Sequence, residues 1–150
     1  SNMSEINISI KSNLFFDLNP NDLKRKLGNK LTENTRKRFL KGESPEGTAW
    51  KSKGNDQPSN LRKRSHLMNS INFKINGDTI VIGTNKKYAK IHNEGGVITP
   101  KKGKYLYFKG DDGNLRKVTQ VVIPQRKFLG LSNEDEKDIK KLTFSSFIIE

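Results

Sequence analysis

The spacing of apolar residues predicts one long helix near the start of the chain. Leu23, Leu27, Leu31 and Phe39 recur at helical intervals, with charged residues between them. A helix of about five turns from near Pro20 to Lys41 follows from this pattern. It is the longest regular element that the sequence predicts.

Strands are predicted where apolar residues alternate with polar ones. This alternation occurs at residues 6–10 and 71–75, and the apolar run within residues 79–83 predicts a buried strand. Between the last two lies Asn76-Gly77, a strong signal for a tight hairpin turn. A first strand and a later hairpin are therefore expected.

The second half of the chain adds another hairpin and a closing helix. Residues 105–108 and 115–123 read as paired strands around the turn at 111–113. Ser132 begins an acidic segment close to a capping box, and a helix is expected after it. The order of elements predicts one α+β domain: an antiparallel β-sheet built from hairpins, packed against a long N-terminal helix and a C-terminal helix.

Composition narrows the class of protein. Only 31% of the 150 residues are hydrophobic and 30% are charged, so we expect a modest core and much solvated surface. The absence of cysteine excludes disulfides and thiol chemistry, and no apolar run reaches the roughly 20 residues of a membrane helix. We expect a protein made in a cytoplasm without a signal peptide, with Ser1-Asn2 as a cloning scar. Residues 51–64 are almost free of apolar side chains and predict a flexible basic loop.

A formal net charge of +13 suggests acidic partners without identifying them. A solvated helix face is one interpretation of the basic residues, and a strip that meets an acidic protein or a phosphate backbone is the other. The nucleic-acid interpretation would combine these residues with stacking by the aromatic side chains of strand 105–108. The candidate basic surface comprises Lys24, Arg25, Lys26, Arg36, Lys37, Arg38, Arg62, Lys63 and Arg64.

Polar and aromatic side chains gather at one place where the chain leaves its predicted sheet. Tyr88, His92 and Glu94 stand just before Gly95-Gly96, a pair that permits a sharp change of direction. This stretch predicts either a docking surface or a reaction site.

The sequence lacks the sets of residues that catalysis usually requires. His92 and its neighbours Asn93 and Glu94 could belong to a metal-dependent nuclease, but further ligands at defined spacings are missing. Gly95-Gly96 lacks the spacing of a phosphate-binding loop. We therefore expect no catalytic residue, no metal and no cofactor.

Four stretches, taken in order, resemble the phage virion morphogenesis family, also called the phage tail-completion family. They lie at residues 38–50, 67–71, 82–96 and 123–132, and the resemblance extends from about Phe39 to Asp138. Three positions depart from the family pattern: Glu94, where an aromatic residue is frequent; Lys127, where proline often follows the arginine; and Ser65-His66, which lack a glycine.

The resemblance implies a non-enzymatic structural protein of a tailed phage or prophage, present in the host cytoplasm during assembly and then in the tail or neck. It implies tail or head–tail connector proteins as partners and a homo-oligomeric ring. DNA contact through the basic surface remains the alternative that the charged residues suggest. The loop at 51–64 would become ordered on assembly.

We expect Tyr88 and His92 to pack near residues 123–131, where Arg126 would fix the Gly95-Gly96 turn through carbonyl or Glu94 contacts. An interface role and a purely structural role in the subunit's own core both suit such residues. The candidate set comprises Trp50, Tyr88, His92, Glu94, Gly95, Gly96, Pro124, Arg126 and Phe128.

Overall fold

A computed structural model describes residues 4–9, 20–52, 61–110 and 112–146. The order of elements confirms the predicted α+β class. The elements are β1 (Ser4–Ser9), α1 (Pro20–Lys41), α2 (Leu61–Ser70), β2 (Asn72–Asn76), β3 (Thr79–Thr84), α3 (Ala89–Glu94), β4 (Gly96–Ile98), β5 (Leu106–Lys109), β6 (Leu115–Val118), β7 (Val121–Ile123) and α4 (Asn133–Ser146).

Helix α1 forms as its periodicity predicts. Leu23, Leu27, Leu31 and Phe39 are all buried, so the apolar stripe faces the core. The helix ends at Gly42, whose φ of 70° is favourable for glycine and whose N–H donates to the Arg38 carbonyl at 2.7 Å. The long helix is thus the element that the rest of the core packs against.

The main sheet is antiparallel, with strand order β1-β3-β2. The central strand β3 places Ile80 and Ile82 in the core with no exposed surface. Strands β2 and β3 form the predicted hairpin, turning at Gly77. A Cβ atom at Gly28 of α1 would lie 2.3 Å from the Phe73 ring of β2, so the absence of a side chain lets helix and sheet approach closely.

Two short ladders follow along residues 96–123, which we call the β-ribbon arm. Strand β4 pairs with β7, and β5 pairs with β6, both antiparallel. The β5–β6 hairpin matches the prediction, but β7 leaves it and pairs with β4, a strand that the sequence analysis did not predict.

Helix α4 is fixed to α1 by buried polar contacts. Ser132 and Asp135 cap it reciprocally, because the Ser132 N–H donates to Asp135 Oδ2 at 2.9 Å and the Asp135 N–H donates to Ser132 Oγ at 3.0 Å. Arg38 of α1 also donates to Asp135 Oδ2, and Asn34 Nδ2 donates to Asp135 Oδ1 at 2.9 Å. The capping carboxylate therefore joins the two long helices.

The predicted extent of the basic loop needs correction. The predicted loop at 51–64 ends earlier, because α2 begins at Leu61 and contains residues 62–64. Residues 53–60 of that loop lie outside the described residues, as do residues 10–19 and the tail from 147. None of the helices in the described ranges is long and apolar enough to cross a bilayer.

Candidate assembly interface

Helix α3 and the segment after β7 are joined by paired hydrogen bonds. The Arg126 N–H donates to the His92 carbonyl at 2.8 Å, and His92 Nδ1 lies 3.0 Å from the Arg126 carbonyl oxygen. Asn93 Oδ1 accepts from the N–H groups of Phe128 and Leu129 at 3.0 and 3.1 Å. The segments predicted to meet do meet, although the sequence analysis gave Asn93 no role in joining them.

Gly95 permits this close approach. Its φ is 75°, and a Cβ there would lie 2.8 Å from the Gln125 backbone nitrogen. Gly96 follows as the first residue of β4, and Pro124 is half-buried beside the turn. Glu94 is exposed. Backbone hydrogen bonds hold the turn, and the absence of a side chain at Gly95 lets the two segments approach each other.

The predicted role of Arg126 in this turn is wrong. In the described part of the chain, its guanidinium forms no hydrogen bond or ion pair with Glu94 or with the glycine carbonyls. Its backbone makes the contacts to His92, while its side chain is 4% exposed. Contacts with the turn therefore do not account for the burial of the Arg126 side chain.

Four rings form an aromatic cluster under the turn: Phe39, Trp50, His92 and Phe128. Their contacting centroids are 5.2 to 5.6 Å apart, a range typical of edge-to-face and tilted packing. Trp50 Nε1 donates to the Lys127 carbonyl at 2.9 Å, so the indole covers this edge of the core.

His92 is buried in its neutral form. Its pKa is lowered to about 4, mainly by burial; the hydrogen bond to the Arg126 carbonyl opposes this shift, and the charges of Arg126 and Arg64 contribute to it. Its Nε2 has no hydrogen-bond partner among the described residues. The same part of the chain contains no group of three or more His, Cys, Asp or Glu side chains placed to hold a metal ion.

Tyr88 lies at the start of α3 and contacts α2. Its hydroxyl donates to the Lys63 carbonyl at 3.1 Å, and Lys63 Nζ lies 5.9 Å from its ring centroid. These contacts position α2 beside α3.

The predicted basic surface on α1 is largely neutralised. Lys24 and Arg38 are each only 4% exposed, so the prediction that they lie on an exposed basic face is wrong. Lys24 Nζ pairs with Asp78 at 3.1 Å, and Arg38 pairs with Asp135.

The other α1 residues of the predicted basic surface also have partners. Arg25 and Lys26 lie within 3.6 Å of Asp22, and Lys37 lies 3.4 Å from Glu33. The exposed Arg36 donates to the Ile71 carbonyl. On α2, Lys63 is exposed and Arg64 half-buried, while the Arg62 side chain lies outside the described part.

The β-ribbon arm carries most of the exposed apolar surface. Nine large apolar side chains are exposed in the described ranges, and six lie on the arm. Tyr107 and Leu115 are 60% and 68% exposed, and Tyr105 and Tyr107 pack edge to face with centroids 6.4 Å apart. The six are Val97, Ile98, Tyr105, Tyr107, Leu115 and Val122. The alternation at residues 105–108 predicted a strand but did not show that this apolar surface is exposed.

Fold and surface together define a small basic α+β protein whose exposed features suit contact with other macromolecules. The chain belongs to the phage virion morphogenesis family, whose profile matches residues 9–147. The family match supports a structural or assembly role in a phage or prophage.

One curated relative is Mu-like prophage FluMu G protein 2 of Haemophilus influenzae (strain ATCC 51907 / DSM 11121 / KW20 / Rd). It is 36% identical over 91 residues, which cover 61% of this chain and 54% of the relative. The chain thus spans about half the length of the curated relative that it matches. No solved structure matches the chain significantly.

Proposed function

We propose that the protein is a non-enzymatic subunit that acts in tail completion or head–tail joining, as a ring of identical copies. The observation that carries the proposal is the exposed apolar surface of the β-ribbon arm. An apolar patch of this kind, bordered by polar residues, marks a protein–protein contact. Family membership supplies the context of virion assembly.

Charge complementarity supports a second copy of the chain as the partner that binds the arm. Lys101, Lys102 and Lys104 are exposed on the arm, while Glu134 and Glu136 are exposed in the first turn of α4. A cleft of about 190 Å³ lies beside that turn, lined by Glu43, Glu46 and Glu134 together with Lys37, Arg38 and Lys41. The arm of one copy against α4 of the next is a contact between two different patches, which generates a ring when the rotation closes.

Oligomeric state and assembly test this proposal together. Tyr107→Ser/Leu115→Ser removes apolar surface from the arm, and Leu40→Ser removes a side chain of α1 that is 77% exposed. We expect the arm variant to remain folded but to lose concentration-dependent oligomers in light scattering, and to lose tail-bearing particles in a prophage complementation assay. Leu40→Ser should retain both. Wild-type behaviour of the arm variant in both assays would overturn the proposal.

A charge exchange tests the head-to-tail contact itself. Lys104→Glu and Glu134→Lys should each weaken oligomers, and the double variant should restore them because the opposite charges face one another again. Failure of the double variant to recover, with both single variants weakened, would place the contact elsewhere.

The net charge of +13 and the lysines of the arm favour DNA contact as the second candidate. A DNA interface predicts affinity that falls steeply with salt and that survives in the monomeric arm variant. Binding of a short duplex at two salt concentrations separates this function from assembly through protein contacts.

A further inference from the structure

Strand β2 forms one edge of the main sheet. Among the described strands it pairs only with β3, whereas β3 has β1 on one side and β2 on the other. Four of the five residues of β2 are exposed, and Phe73 is half-buried. A strand edge of this kind presents N–H and C=O groups to which another strand can bind.

One side-chain contact shows which N–H groups lie on the free side of β2. The Phe73 N–H donates to Asn72 Oδ1 at 2.8 Å, which directs this N–H away from β3. Because N–H groups alternate in direction along an antiparallel strand, the Ile75 N–H lies on the same free side. The edge therefore offers the Ile75 N–H, and also the Phe73 N–H once the Asn72 side chain moves aside.

Two clefts flank this edge, one on each face of the sheet. The outer cleft, of about 310 Å³, is lined by Lys74, Val81 and Gly83 on the face away from α1. The inner cleft, of about 450 Å³, lies against α1 and is lined by the half-buried Met68 and Phe73. Successive side chains of a strand point to opposite faces, so a strand added to β2 would place alternate side chains in the two clefts.

Two cations without an acidic partner lie at the same edge. Arg36 Nη2 donates to the Ile71 carbonyl at 2.6 Å, which holds the guanidinium beside the start of β2. Lys74 is exposed on the outer face, and neither cation forms an ion pair within the described part of the chain. Of the described residues, Glu33 is the one acid that lines either cleft, and it already lies 3.4 Å from Lys37. The edge thus attracts negative charge.

We propose that the free edge of β2 binds an extended segment of a partner protein in which apolar and acidic residues alternate. Its apolar side chains occupy the inner cleft against Met68 and Phe73, and its acidic side chains face Lys74. Main-chain hydrogen bonds to the edge supply affinity, and the two clefts supply specificity. A nucleic acid has no amide groups to pair with a strand edge, so the site favours a protein segment over DNA.

Leu40 also borders the inner cleft. Its side chain is 77% exposed and therefore lies at the rim, where contacts contribute little to binding. Leu40→Ser should accordingly leave this site functional, and it remains a suitable control for the arm.

Binding is measured with the full chain and a fluorescent, capped peptide of sequence Val-Asp-Val-Asp-Val-Asp, by anisotropy at low salt. Val-Lys-Val-Lys-Val-Lys reverses the charge, and Val-Asp-Pro-Asp-Val-Asp keeps the acids but cannot form a regular strand. A short DNA duplex is titrated separately. We expect saturable binding of the first peptide and at least about tenfold weaker binding of the other two, because each lacks one part of the recognition.

The variants test the charge and the backbone of the edge separately. Lys74→Glu should weaken the acidic peptide by at least about fivefold, whereas Lys90→Glu, the same charge change at an exposed residue of α3, should not. Ile75→Pro removes an N–H of the free edge and should weaken binding by at least about tenfold. Ile75 is 38% exposed.

Amide hydrogen exchange in the wild-type chain tests the edge without any substitution. In the free chain the Ile75 N–H should exchange rapidly, and saturating acidic peptide should slow its exchange at least about tenfold. The Lys74 N–H, which points to β3, should be protected in both states.

Four results would overturn the proposal. The first is no saturable binding of the acidic peptide, or equal binding of either comparison peptide or of the duplex. The second is equal weakening by Lys74→Glu and Lys90→Glu. The third is an Ile75 N–H that the peptide does not protect, or that is already protected in the free chain. The fourth is loss of oligomers in Lys74→Glu, which would assign the edge to a second copy. The peptide results do not involve the arm, so this proposal and the proposed ring can fail independently.

Discussion

Replacement of Arg38 by methionine tests how strongly the buried ion pair holds α1 to α4. Arg38 is 4% exposed and Asp135 is 1% exposed, so water screens neither charge. The Arg38 guanidinium also donates to the Phe128 carbonyl at 2.6 Å. Methionine keeps much of the length and apolar volume of arginine while it removes the charge and the donors.

The expected loss of stability follows from the groups left without a partner. Removing one member of a buried pair costs about 3–5 kcal/mol, because the other charge remains buried. Asp135 would retain its hydrogen bonds from Asn34 and Ser132, which places the loss near the lower end of that range. A loss of about 3 kcal/mol is a large share of the roughly 5–15 kcal/mol that stabilises a domain.

Urea unfolding at neutral pH, followed by circular dichroism, measures this loss. Arg38→Met/Asp135→Asn should recover about half of it, because asparagine removes the charge and keeps an acceptor for the Ser132 N–H. Arg25→Met is the matched control and should change stability by less than about 0.5 kcal/mol, because its ion pair is exposed. A loss below about 1 kcal/mol for Arg38→Met, or no recovery in the double variant, would refute the reasoning.

Two further predictions concern the turn and the histidine. Gly95→Ala should destabilise by about 2–4 kcal/mol, because a positive φ and a backbone clash add, whereas Gly113→Ala, with φ 80° and open space, should cost about 1 kcal/mol in the same urea assay. Equal losses would contradict the close approach. Because folding lowers the pKa of His92 from 6.5 to about 4, the unfolded chain binds the proton more readily, and stability falls as pH drops through this window. The loss between pH 8 and 4.5 should be about 2–3 kcal/mol, and it should disappear in His92→Phe but persist when the exposed His66 is changed to Gln.

Elements that depend on neighbouring residues were predictable from the sequence. The helical spacing from Leu23 to Phe39 and the Asn76-Gly77 turn both act within a few residues, and α1 and the β2–β3 hairpin form where these signals place them. The capping pair of Ser132 and Asp135 is local in the same sense.

Features that depend on distant partners were not predictable. Lys24 and Arg38 read as surface charges because their partners, Asp78 and Asp135, lie far along the chain. Helix α3 has only six residues, too few for a periodic signal. Alternation along β5 correctly predicted a strand but could not show that Tyr107 is left uncovered by the described residues.

Strand β1 has a consequence for where the domain can be cut. The family profile begins at residue 9, whereas β1 covers residues 4–9 and pairs along the whole of β3. A fragment trimmed to the family boundary would leave the backbone of β3 uncovered along one side, and bare strand edges recruit other chains into intermolecular sheets. The limit of sequence similarity is therefore not a safe limit for a folded fragment.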